Sequence, residues 1–155
     1  MKTENVWDYP RPPRLEPVPE IVRVVFAGRT IVETRGAMRV LETSHPPVYY
    51  LPRTAFTCSI LPSRRRASIC EWKGQAAYWS LECDGTVATD CAWSYPAPTA
   101  AFAPIRDFLA VYPAAMDACS VDGETVQAQL GGFYGGWITA NLVGPFKGAP
   151  GTAGW

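Results

Sequence analysis

Gln75-Ala76-Ala77-Tyr78-Trp79-Ser80-Leu81-Glu82-Cys83-Asp84-Gly85-Thr86-Val87-Ala88-Thr89-Asp90-Cys91-Ala92-Trp93 is the stretch that decides the fold. Asp84-Gly85 is a two-residue turn in which both positions tolerate positive φ, the requirement of a tight hairpin. Before it the side chains alternate. Tyr78, Ser80 and Glu82 take one face, and Trp79, Leu81 and Cys83 take the other. Thr86 to Trp93 returns as the partner strand.

The same grammar recurs on both sides. Ile21 to Phe26 turns through Ala27-Gly28-Arg29 and returns over Thr30 to Thr34. Ala37 to Thr43 is a further strand, with Met38, Val40 and Glu42 on one face and Arg39, Leu41 and Thr43 on the other. Val48 to Leu51 is a short strand between His45-Pro46-Pro47 and Pro52. Asp117 to Val121 and Glu124 to Gln127 form another hairpin about Asp122-Gly123. Pro104 to Tyr112 is the only helical pattern, with Ile105, Phe108, Leu109 and Tyr112 at helical spacing behind a proline suited to the first turn. Thr57 to Ser68 has no clear period. The expected fold is mainly β: a small antiparallel folded-over sheet or barrel with one short helix. Residues 1–20 read as a Pro-rich extended arm and 21–155 as a single β domain. Trp7 and Tyr9 on the arm have a burial reason to pack back.

Composition narrows the function classes. The 155 residues carry 14 basic and 14 acidic side chains, so no net charge draws the chain to nucleic acid or an anionic membrane. Apolar residues make up 48% and charged residues 18%, a globular balance. No apolar run approaches the roughly 20 residues of a membrane span. Met1-Lys2-Thr3-Glu4-Asn5 lacks an apolar signal core, so a cytoplasmic location is expected. Five cysteines without framework spacing suit reduced thiols.

Catalytic and metal motifs are scarce. Cys58, Cys70, Cys83, Cys91 and Cys119 contain no Cys-x-x-Cys, so neither a metal nor a cofactor is expected. The single histidine, His45, precedes two prolines. It reads as polar surface, with Cys70 the best exposed partner for a Cys–His pair. Gly131 to Gly136 and Gly144-Pro145-Phe146-Lys147-Gly148 lack Walker spacing. Arg64-Arg65-Arg66 is a solvated loop or a phosphate contact.

The aromatic residues are the most specific feature. Tyr50, Trp72, Trp93, Tyr95, Tyr134 and Trp137 lie at strand ends or beside glycine and proline, where a planar ligand could stack. Arg39, Glu42 and Lys73 are the candidate polar anchors. Arg39 and Glu42 face opposite ways on a flat strand, so both line one pocket only if a bulge or twist intervenes. Two readings follow: a small-molecule binding domain, or a protein-interaction or homodimerisation module built from the same aromatics and the arm.

Six stretches carry a family resemblance: Arg39 to Thr43, Pro47 to Pro52, Cys70 to Gly74, Trp93 to Pro96, Pro113 to Asp122, and Gly132 to Thr139. Together they resemble the bacterial domain-of-unknown-function 427 family, over about Ile21 to Trp155. Phe133-Tyr134-Gly135-Gly136-Trp137 and the Gly144 to Gly148 run are the most distinctive parts. The resemblance implies a compact folded sheet related to the β-tent group, whose zinc-bearing members use Cys pairs that this chain lacks. It also implies a third reading, nucleotidyltransferase-like. That chemistry needs acidic metal ligands and a phosphate clamp, and Glu42, Glu82, Asp84 and Asp90 are not clustered in sequence.

Overall fold

The computed structural model describes residues 2–155. The first half supplies β1 (Glu4–Asn5), β2 (Arg14–Val18), β3 (Val22–Phe26), β4 (Arg29–Thr34), β5 (Ala37–Leu41) and β6 (Val48–Pro52). The middle supplies β7 (Ser59–Pro62), β8 (Ser68–Cys70), β9 (Gly74–Cys83), β10 (Thr86–Ser94) and β11 (Phe108–Val111). The remainder supplies β12 (Ala118–Val121), β13 (Glu124–Thr125), β14 (Gln127–Ala128), β15 (Trp137–Ile138) and β16 (Leu142–Val143). The main sheet runs β2-β5-β6-β11-β10-β9-β7, with β8 also on β9. A smaller sheet runs β13-β12-β3-β4. Among the described residues the sheets close no barrel. Among the described residues no helix is long and apolar enough to cross a membrane.

Tight turns set the registers. Ala27-Gly28, Asp84-Gly85 and Asp122-Gly123 all take positive φ at both positions, the twist that suits a two-residue hairpin. Between Ala88 and Ala92 the register of β10 on β9 shifts. Asp90 sits there at φ 53°. Its N–H donates to Ser80 Oγ at 2.9 Å, and its carboxylate accepts from the Ser63 hydroxyl. This bulge is why Cys91 and Ala92 both serve one core and Trp93 the other.

Strand alternation divides the apolar side chains between two cores. Tyr49, Leu51, Leu81, Cys83, Leu109 and Val111 pack from the main sheet against Val22, Val24, Ile31 and Val121 of the smaller one. The opposite face of the main sheet carries Val40, Tyr50, Ala76, Tyr78, Trp93 and Ala110. Among the described residues no second sheet packs into that core; Phe102 and Ile105 cover part of the face.

The helix expected over Pro104 to Tyr112 is not there. A 3₁₀ segment, Ala100–Ile105, stops before Asp107, which takes φ 63°. The chain then becomes β11, with Leu109 and Val111 in the inter-sheet core and Ala110 on the other face. A short strand buried on both faces is a continuous apolar run, which helical spacing imitates. The unassigned 57–68 region contributes β7, paired to β9 over four residues.

The Pro-rich stretch includes β2, an edge strand paired to β5 from Arg14↔Leu41 to Val18↔Ala37. Pro17 is accommodated because an edge strand has a side that donates no ladder bond. Val6 and Tyr9 are buried, and Trp7 meets Trp155 edge-on at 5.2 Å.

Candidate functional site

The uncovered face of the main sheet forms the floor of a cavity of about 290 Å³. Val40 of β5, Glu42 just past its end, and Val48 and Tyr50 of β6 all line it. Trp93 and Tyr95 enter from the end of β10 and beyond it. Tyr50 is fully buried, 6.4 Å from Trp93 and 6.3 Å from Tyr95 between ring centroids.

One wall is the turn between β8 and β9, which carries Trp72 and Lys73. Thr99 fixes it, donating from Oγ1 to the Trp72 carbonyl at 2.6 Å and from N–H to the Lys73 carbonyl at 3.1 Å. Another wall is Phe133, Tyr134 and Gly135, together with Lys147. Gln129 ties this wall together. Its Nε2 donates to the Lys147 carbonyl at 2.7 Å, and its Oε1 accepts the Gly136 N–H at 3.0 Å.

Seven of the nine expected residues therefore line one cavity: Glu42, Tyr50, Trp72, Lys73, Trp93, Tyr95 and Tyr134. Arg39 and Trp137 do not, and strand geometry explains Arg39. No bulge interrupts β5, so Arg39 points away from Glu42. Its Nε donates to Glu16 at 2.6 Å and its Nη2 to Glu4 at 2.8 Å, an ion-pair cluster on the far side. Trp137 is fully buried in the inter-sheet core, stacked on Tyr49 at 4.8 Å. It is a structural residue.

The sequence reading missed His45, Gln129 and Lys147. Gln129 had no signal beyond its polarity. His45 was assigned to open surface, yet its side chain is 13% exposed, and it lines the cavity together with Cys70. Gln129 Nε2 lies 3.3 Å from His45 Nδ1. An amide N–H can only donate, so Nδ1 accepts and the imidazole proton sits on Nε2, 3.8 Å from Glu42 Oε2. Burial pushes the His45 imidazole down to about 4; Lys147, Arg11 and Lys73 add to that shift and Glu42 opposes it. Burial would also lower the Lys73 ammonium, but Tyr50, Cys70 and Glu42 hold it above its ordinary value.

His45 gives the fold a pH dependence. The unfolded imidazole takes up its proton near 6.5 and the folded one only near 4, so the unfolded chain binds more protons between those values. Stability is full above about 6.5 and falls as pH drops toward 4. The loss expected is about 1–3 kcal/mol. For Glu4, burial favours the neutral acid, but hydrogen bonds from Arg39 and Tyr9 outweigh it and hold the carboxyl below its usual value of 4.5. That loss comes at lower pH. Melting curves of wild type and His45→Gln from pH 7.5 to 4 should diverge, the variant flatter; parallel curves would contradict the assignment.

A family model described as a domain of unknown function, DUF427, matches residues 14–122. The chain belongs to the DUF427 family. The DUF427 match begins at β2 and ends in the β12–β13 turn. It contains Glu42, His45, Tyr50, Trp72, Lys73, Trp93 and Tyr95. It stops short of Gln129, Tyr134 and Lys147, so the second wall of the cavity lies beyond the matched DUF427 region. A search of curated proteins finds no match.

Proposed function

We propose that this DUF427 chain binds a small molecule with a flat ring, held against Trp93 and Tyr95, with Tyr50 packed beneath them. The observation that carries this reading is the cavity itself. Aromatic side chains converge on a concave space, and a few polar groups surround them, the usual make-up of a small-molecule site. Its volume, about 290 Å³, suits one or two fused rings.

Two-ring compounds such as 2-naphthalenemethanol, titrated by calorimetry, test the proposal. They should bind the wild type and not Val48→Trp, which adds a ring at a half-exposed position of the cavity wall. Absence of binding, or binding indifferent to Val48→Trp, would overturn it.

A second reading is an interaction or homodimerisation surface. Ile69 and Phe133 at the cavity mouth are 83% and 58% exposed, which favours a partner seated there. Sedimentation over a concentration series separates the two, since a homodimer would shift with concentration. The nucleotidyltransferase reading fits the residues poorly. Among the described residues no group of three or more His, Cys, Asp or Glu stands where it could hold a metal ion. No step is assigned to one.

A further inference from the structure

Lys73 and Lys147 both line the cavity, one from the β8–β9 turn and the other from the segment after Gly144. Each ammonium sits near a tyrosine that also lines the cavity, Lys73 at 5.7 Å from the Tyr95 ring and Lys147 at 5.5 Å from the Tyr134 ring. Among the described residues neither lysine has an ion-pair partner. The interior carboxylate, Glu42, is already engaged by Arg11 at 3.4 Å, and Arg11 lies outside the cavity lining. Glu71 is on the exposed rim, where solvent and salt screen its charge. Two half-buried cations thus face a cavity whose interior negative charge is already paired. Both bear on His45, which their fields help keep neutral. His45 therefore adds no third positive charge, and its Nε2–H remains a donor.

We infer that the ligand is an aromatic anion, its ring on Trp93 and Tyr95 and its carboxylate, sulfonate or phosphate-type group between Lys73 and Lys147. This rests on the small-molecule reading above. It adds a substrate class and two specificity-determining residues. A charge pair formed in a partly dehydrated cavity is stronger than the same pair in open water, so the anionic group should decide affinity.

The test compares 2-naphthoate with 2-naphthalenemethanol, which has the same rings and no charge, by calorimetry on the whole chain. The inference predicts that 2-naphthoate binds at least tenfold more tightly. Lys73→Met and Lys147→Met should each cost 2-naphthoate fivefold or more and leave 2-naphthalenemethanol unchanged. Lys73→Arg and Lys147→Arg, which keep the charge, should keep the preference and guard against a variant that merely misfolds. Equal affinity for the two probes, with both excluded by Val48→Trp, would overturn the anion assignment and leave the cavity reading intact. Binding of neither probe, or binding that Val48→Trp does not affect, would overturn both.

Discussion

Trp137→Ala should cost about 3–5 kcal/mol, enough to remove a large part of a small domain's stability. Trp137 is fully buried. It stacks on Tyr49, and its Nε1 donates to the Val111 carbonyl at 3.4 Å. Its backbone N–H donates to the Pro47 carbonyl at 2.8 Å, which ties β15 to the loop ahead of β6. Alanine would leave a cavity at the junction of the two sheets, and the rigid strands around it cannot collapse to fill it. Trp72→Ala is the matched control. Trp72 is half-buried on the cavity rim and supplies no inter-sheet packing, so its loss should cost under about 1 kcal/mol. Denaturant unfolding of both variants checks the contrast. Equal costs would mean that the two tryptophans are misassigned.

Gly135→Ala and Gly136→Ala should each destabilise the chain by about 1–3 kcal/mol. Neither glycine takes a positive φ, so the cause is crowding and not backbone strain. A Cβ on Gly135 would run into the Trp93 ring. On Gly136 it would lie 2.6 Å from both Gln129 Oε1 and Pro46 Cγ and 2.8 Å from the Pro46 carbonyl oxygen. The proline ring and the carbonyl cannot swing aside as a flexible side chain could. Gly132, by contrast, has no atom within 4 Å of a Cβ, and Gly132→Ala should be near neutral. Chemical denaturation of the three variants separates the cases. Neutral results at both Gly135 and Gly136 would mean that this segment does not pack against Trp93 as described.

These two cases mark how far the sequence could be read. Two successive glycines between Tyr134 and Trp137 signalled a close approach, since Gly is costly where nothing demands it. The partner in that approach, Trp93, lies about forty residues earlier, and no local pattern names it. Period-two alternation correctly separated Glu42 from Arg39, because β5 runs without a bulge. It did not tell which face would remain uncovered, since that depends on where the smaller sheet docks. Trp137 looked like Trp93 in sequence: both are tryptophans beside small residues near a strand end. Only the packing of β15 beneath Tyr49 distinguishes them. The Phe108 to Val111 run matched a helix because a fully buried strand and a helix share apolar density over so few residues. His45, Gln129 and Lys147 come from three loops joined through the Gln129 amide and a bond from the Lys147 N–H to the Ser44 carbonyl at 2.8 Å, long-range contacts without a period.

The six tryptophan indole N–H signals read the central claim most directly in a ¹⁵N spectrum during titration with uncharged 2-naphthalenemethanol. Trp72 and Trp93 line the cavity. Trp137 is sealed between the sheets, Trp79 donates to Ser94 Oγ at 2.9 Å, and Trp7 and Trp155 pair with each other at the terminus. The account predicts saturable shifts at Trp72 and Trp93, with the other four signals still. Shifts at Trp7 and Trp155 instead, or no shift at Trp93 at saturating probe, would contradict it.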